Sequence, residues 1–426
     1  MVLLEKSTAL GGRAASRLKE GFVFNLGPHA LYRSGHLRKT LKTLGVDVRG
    51  AAPGANGGFV LLGGRRHTLP AGLTSLLTTS ALTLHGKFEL ARVQSRLPRV
   101  DTSSIDHETL ESWLDSQVAD PGVRGLLQML VRVTTFTNDP ERQSAGAAIE
   151  QLQLALRASV LYLDGGWQTI VDGLRRAAVE SGVRIVQCAH AVELDRSADR
   201  VVDAVRLADG TAIGTSAVIL GGAPHDVDSL AGTRFSAALP PPIRVATLDV
   251  ALRSLPKPNA TVAFGVDVPL YFSVHSAVAA LAPPGGAMIH VSKYLRPGET
   301  GGRDVEVELE ALMDTMQPGW RDRLEFHQYL PSLTVAHAEL TAAIGGVKGR
   351  PPSRVPTFDN VWIAGDWVGP HGQLSDAVAA SAADAARGAA VARGVSAVAD
   401  APKREEREGG QRGDRGPEKA ALQQVS

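Results

Sequence analysis

Three stretches of this 426-residue chain hold residue types at spacings that could do chemistry. The first is VLLEKSTALGGR, residues 2–13, where a short apolar run ends in Glu5 and Gly11, Gly12 and Arg13 follow. An acid ending such a strand can accept two hydrogen bonds from a ribose diol. Paired glycines let backbone N–H groups approach a pyrophosphate, and the arginine adds a fixed positive fork. A surface strand with an ordinary glycine turn is the plainer reading of the same residues. The second stretch is VWIAGD, residues 361–366, which delivers Gly365 and Asp366 at the carboxyl end of an apolar strand, where open α/β sheets bind ligands. Its glycine-rich continuation opens a helix near Ser375, whose N-terminus offers unpaired N–H groups and partial positive charge. Asp366 as a loop residue and Ser375 as a helix cap is the alternative. The third is Gly27-Pro28-His29, closing the run FVFNL. A glycine there permits close approach of a flat ring, and His29 is either a hydrogen bonder or a structural histidine.

Other chemistries find little support. The twelve histidines show no metal-ligand spacing, and no Gly-x-Ser-x-Gly elbow exists. GGVKGR, residues 345–350, resembles a phosphate loop but lacks Ser or Thr after the lysine. Tyr271, His275, Lys293 and Tyr294 sit in strand-like runs and read more readily as core or solvated polar residues than as acid–base groups. The single cysteine, Cys188, excludes an internal disulfide; it ends the strand-like run VRIVQC, which predicts a buried, inert thiol. A net charge of +1 gives no electrostatic case for nucleic acid. No apolar run approaches the ~20 residues that span a bilayer. The start lacks the marks of a signal peptide, so a cytoplasmic protein is expected, with peripheral membrane contact open.

The elements that must position these residues follow from periodicity. Leu37, Leu41 and Leu44 mark a helix over 35–44, and Gly63–Gly64 a hairpin over 57–70. From about Leu73 to Leu156 the pattern is mostly helical, with Trp113 and Val118 near one face. The apolar segment 73–90 reads as core packing or as a lipid contact. A second block gives an amphipathic helix over Gln168–Ser181, stopped by Gly182, then a strand at 183–186 and short strands at 192–194, 201–207 and 217–220. Residues 240–345 alternate strand-like runs with Pro-rich breaks and hold one acidic helix. Beyond about Val395 the chain is charged and nearly free of large apolar groups, which predicts disorder over 396–426.

In this order the parts resemble the FAD-dependent amine oxidase-like flavoproteins, a group that includes phytoene desaturases. Acid-x5-GGR, F-x-N-L-G-P-H, the GG-x-x-x-[ILV]-x-x-L segment before a meander, and AGDW before a glycine-opened final helix carry the resemblance. It implies an α/β fold: a Rossmann-like FAD-binding domain from 1–60, 155–235 and 346–395, and an α+β substrate domain from 61–154 and 236–345. It implies Glu5 and Lys6 at the adenosine ribose, and Gly12 and Arg13 at the pyrophosphate. Gly27, Pro28 and His29 would lie near the isoalloxazine, and Val192 would meet adenine through its backbone. Gly365 and Asp366 would lie near the pyrophosphate and ribityl chain. Leu374 to Ala377 would face the flavin's pyrimidine edge. The expected chemistry is hydride transfer from a hydrophobic or amine-like substrate to flavin N5, with the electron acceptor undetermined.

Such proteins begin with a strand, a Gly-x-Gly-x-x-Gly turn and a helix, together ~30 residues, before the acidic strand. The sequence as written opens on the acidic strand instead. A misassigned gene start is the favoured explanation, and a truncated homologue without flavin the other. The chain as written is therefore expected to hold FAD poorly. An inactive homologue serving as a partner or scaffold, and a flavin-dependent isomerase, remain the alternative functions.

Overall fold

A computed structural model describes residues 1–54 and 58–392. The predicted charged tail lies outside the described residues. The centre is a seven-stranded sheet in the order Leu324–Ala336, Ile243–Leu252, Ala287–Tyr294, Leu270–Val274, Val262–Gly265, Gly58–Leu62 and Arg65–Thr68. Neighbours are antiparallel except Val262–Gly265 beside Gly58–Leu62, which run parallel. The expected hairpin thus supplies two strands of this sheet, and the 60/61 division falls within one of them.

Because side chains alternate across a strand, the central register sorts residues by face. Asp249 lies opposite His290, Thr247 opposite Ser292, and Ser273 and Tyr271 opposite the same His290 and Ser292. Leu248, Val250, Phe272, Ile289 and Val291 point the other way, onto Leu309, Leu312, Met313 and Met316 of the helix Arg303–Met316. Each such side chain taken fully from water contributes roughly 1.5–3 kcal/mol, so this face holds the sheet to its helix.

The expected parallel strands occur as two pairs: Val2–Leu4 with Arg184–Val186, and Val218–Leu220 with Val361–Ile363. A three-stranded meander, Ala191–Ala198, Val201–Leu207 and Ala212–Gly214, follows the first pair. The helix Gln168–Glu180 precedes it and stops at Gly182, whose φ of 77° is left-handed.

Helices fill 84–158, as the pattern predicts. Thr83, Asp120 and Ser144 side chains each accept a backbone N–H at a helix start. Trp113, Leu114, Leu126, Ile149 and Leu152 pack together between them.

One expectation needs correction. Cys188 is exposed, with φ 56°, because the strand ends at Val186 and the chain turns at the cysteine. The helix expected over 35–44 is present as His36–Thr43, flanked by Gly35 and Leu44, with Leu41 buried and Leu44 50% exposed.

Candidate active site

Glu5 leaves the strand Val2–Leu4 at its carboxyl end, and its Oε1 accepts the Ser7 amide at 2.8 Å. Lys6 reaches only Asp226, 3.4 Å away on the surface. Gly11 and Gly12 turn the chain with φ 119° and 51°, conformations that favour glycine. Arg13 then points inward. Its Nη2 donates to Asp366 Oδ2 at 2.5 Å and its Nη1 to the Val335 carbonyl at 2.7 Å. The other oxygen, Asp366 Oδ1, accepts the His337 amide at 3.1 Å and His337 Nδ1–H at 3.0 Å. Burial alone would raise the Asp366 pKa, but the His337 hydrogen bond and the Arg13 charge outweigh it and hold it below the ordinary carboxylate range. Two residues singled out in sequence, 353 positions apart, therefore bind each other.

Arg350, in the discounted GGVKGR stretch, fixes the loop that follows. Its guanidinium donates to the carbonyls of Asp366 at 2.9 Å, Gly372 at 2.7 Å and His371 at 3.3 Å. Burial lowers its pKa to about 10. Gly372 has φ 67°, and a side chain there would press on Asp376 at 3.0 Å. Leu374 follows at φ 53° and starts the helix Leu374–Ala392, one residue before the expected opening. Within its first turn Asp376 accepts the Leu37 amide at 2.8 Å, which caps the helix His36–Thr43 from outside. Gly35 is required there, because any Cβ would meet Asp376 Oδ2 at 2.0 Å. Burial lifts Asp376 to about 6. Ala377 is fully buried behind it.

Asp376 Oδ2, Ser34 Oγ, Gln151 Nε2 and Arg350 Nε are buried without a hydrogen-bond partner. Unpaired buried polar atoms are costly and call for a partner. Asp376 packs on Gly35, the neighbour of Ser34, and Arg350 binds the loop that opens the same helix, so three of the four belong to segments around the start of Leu374–Ala392. Donors and acceptors together are the chemistry that a flavin's pyrimidine edge pairs with.

Gly27, with φ 79°, packs against Thr247 and Leu333 of the large sheet, so the Gly27-Pro28-His29 turn meets the sheet's polar face. Its amide donates to Asp249 Oδ2 at 3.4 Å. Asp249 Oδ1 accepts His290 Nδ1–H at 2.6 Å, and neither side chain is exposed. Thr247 adds a donor to the same oxygen at 3.3 Å. His29 Nδ1–H donates to the Gly27 carbonyl at 3.0 Å, and its ring lies 4.8 Å from that of Trp167. Beside the dyad, Tyr162 stacks on His275 at 3.7 Å, and its hydroxyl meets Tyr271 at 3.1 Å; Tyr271 in turn meets His275 Nε2 at 3.2 Å. His275 and His290 rings are 4.5 Å apart, edge to face. His275 Nδ1 and His290 Nε2 have no partner. Burial, then the neighbouring imidazoles, push His275 well below its ordinary pKa, and burial raises the Tyr162 and Tyr271 phenols. Four aromatic rings, Tyr162, Tyr271, His275 and His290, thus gather around the buried Asp249.

The structure brings Arg13 to Asp366, and His29 with Gly27 to Tyr271 and His275. It leaves Lys293 apart, paired with Glu308 at 2.9 Å and Glu299 at 3.3 Å, and Val192 on the meander at 44% exposure. Sequence reasoning missed Asp249, His290, Tyr162, His337, Arg350 and Asp376. The signal for the first two was present: VATLDVAL and AMIHVSKY place Thr-x-Asp and His-x-Ser on one face.

A family model for flavin containing amine oxidoreductases matches residues 1–252. Among curated proteins, bovine protoporphyrinogen oxidase is 40% identical over 225 residues, 44% of this chain and 47% of that protein. The human enzyme is 34% identical over 141 residues, 30% of each. The matches thus span less than half the length of these relatives. Among solved structures, an oxidoreductase from Methanosarcina mazei superposes with a TM-score of 0.69 at 16% identity, over 91% of this chain and 94% of that one. A putrescine oxidase variant gives 0.66 at 12% identity, over 92% of each. At those identities the structures speak for the fold alone. The family match covers more than half of the chain, and the mixed α/β architecture agrees with it: this chain belongs to the flavin-containing amine oxidoreductase family.

Proposed function

We propose that the chain removes a hydride from a hydrophobic substrate carrying adjacent C–H and N–H groups and passes it to flavin N5. The observation that carries this reading is the polar sheet face, where two unpartnered imidazole nitrogens lie buried beside the Gly27-Pro28-His29 turn. A flavin supplies the two-electron acceptor; the protein binds, orients and excludes water. Segments 1–60, 155–235 and 346–395 hold the cofactor, with 61–154 and 236–345 enclosing substrate. Glu5 and Lys6 take the ribose side, and Gly12 the pyrophosphate. Val192 offers its backbone to adenine, and Gly27, Pro28 and His29 border the ring. Leu374 to Ala377 present the helix N-terminus to its polar edge. Arg13 and Asp366, tied to each other, shape Gly365 and the following loop into the floor on which the cofactor lies.

Identity of 34–40% to protoporphyrinogen oxidases favours a reduced cyclic tetrapyrrole over a small amine. Leu77, Leu84 and Phe88, each more than 60% exposed, stand beside Lys87 on the segment between 73 and 96. Apolar tips among basic groups suit the surface of an anionic bilayer, and no described helix is long and apolar enough to cross one. Peripheral membrane contact is part of the proposal, tested by sedimentation with phosphatidylglycerol vesicles.

The test of the reaction is anaerobic mixing of the FAD-loaded chain with protoporphyrinogen IX, putrescine and cyclohexylamine in turn. Bleaching of the flavin bands by protoporphyrinogen IX is expected, with net acceptor consumption on readmission of oxygen. A flavin that stays oxidised with all three, or product formed without acceptor consumption, overturns the reading.

A further inference from the structure

We infer that His290, aligned by Asp249, is the base that takes the proton released as the substrate gives up its hydride. This rests on the proposed reaction. A carboxylate only accepts, so the 2.6 Å contact places a hydrogen on His290 Nδ1 and turns Nε2 away from Asp249. That nitrogen is buried and has no partner. Asp249 is itself fixed by two further donors, the Gly27 amide and the Thr247 hydroxyl, so the ring cannot turn without breaking a buried network. Ser292 Oγ donates to Thr247 Oγ1 at 3.0 Å and holds the second of these donors.

The groups facing His290 come from every element packed on it. Asp249 comes from the strand Ile243–Leu252, and Tyr271 and His275 from the strand Leu270–Val274 and the turn after it. Tyr162 comes from Val160–Leu163 and His29 from the cofactor-side turn. Asp249 is the one carboxylate in that set, so a proton arriving on the imidazole is paired with its charge at once. Both partnerless nitrogens belong to these two neighbouring rings, His275 and His290, which meet edge to face at 4.5 Å.

The step balances. The substrate C–H bond breaks and both electrons leave with hydrogen to the flavin. The N–H bond breaks, its proton goes to His290 Nε2, and its electron pair makes the C=N bond. The oxidised substrate is then neutral, and the reduced protein carries one more proton than the oxidised protein at this imidazole.

That last consequence is measurable without substrate. The FAD-loaded full chain and its His290→Asn and Asp249→Asn variants are equilibrated with redox dyes from about pH 6 to about pH 9. The slope of the two-electron potential against pH counts protons taken up with the electrons. The parent chain is expected to show a steeper slope than His290→Asn, by up to about 30 mV per pH unit, the increment of one further proton per two electrons. Asp249→Asn keeps the ring but removes the carboxylate that pairs with it, and is expected to give a slope closer to that of His290→Asn. Equal slopes in all three overturn the inference. A loss of flavin reduction by protoporphyrinogen IX on the order of 10²–10⁴-fold in His290→Asn, with FAD content unchanged, is the second expected result; an undiminished rate overturns it. A parent chain whose flavin the probe leaves oxidised counts against the proposed substrate, while the proton count still decides the role of His290.

Discussion

The same three strands of the large sheet make two faces that differ in kind. On one, Leu248, Val250, Phe272, Ile289 and Val291 meet the apolar side chains of a helix. On the other, Thr247, Asp249, Tyr271, Ser273, His290 and Ser292 are as deeply buried, yet each is polar. Apolar burial stabilises with little regard to direction, whereas buried polar groups demand particular partners. The first face therefore supplies cohesion. The second spends some of it to hold chemical groups in fixed orientation, and the difference between them is what singles out the polar face as the proposed site.

Four substitutions would break or sharpen that contrast. Phe272→Ala, on the cohesive face, should cost roughly 3–5 kcal/mol, read from chemical denaturation, with flavin chemistry lost only as the fold is lost. The double change Asp249→Leu with His290→Met should do the reverse. Removing both partners of a buried pair is neutral or stabilising by about 1–4 kcal/mol, so the melting temperature should hold while flavin reduction collapses. A large loss of stability there would show that the polar face is also structural. Ser292→Ala removes one neutral donor and should cost about 1 kcal/mol, with a shifted pH profile of flavin reduction as the more telling readout.

The smallest effect concerns a polar group outside the sheet. Asp376 is raised from 3.8 to about 6, so the folded chain holds more protons than the unfolded chain between those values. Stability then falls as pH rises through that window. Asp376→Asn keeps an acceptor for the Leu37 amide. It should therefore raise the melting temperature above about pH 6 and leave it unchanged below about pH 4, checked by thermal scans at both ends.

Much of this was legible in sequence because it rests on local pattern. Glu5 at a strand end, the Gly11–Gly12 turn, the helix stopped at Gly182 and the final glycine-opened helix all follow from neighbouring residues. The Arg13–Asp366 bond was not legible, since each residue was read as facing a ligand and nothing local reveals that they face each other. Arg350 was dismissed because its stretch was judged as a phosphate loop, whereas its work is to bind three carbonyls of a loop 16 to 22 residues away. Cys188 misled because an apolar run was extended two residues past the last paired strand residue, Val186. His290 and Asp249 were visible only as a period-two alternation in two strands, and their pairing depends on register, which sequence does not state.

The Arg13–Asp366–His337 contact has a consequence in time. One carboxylate gathers groups from positions 13, 337 and 366, so this junction cannot exist until most of the chain has left the ribosome. The strands 243–252, 270–274 and 287–294 pair within about fifty residues of one another, and short loops close at little entropic cost. The central strands of the large sheet can therefore assemble on a nascent chain while Arg13 waits, unpaired and solvated, for a partner still being synthesised. The segment that carries Arg13 is thus made long before it is locked in place, and the junction closes only when positions 337 and 366 have been added.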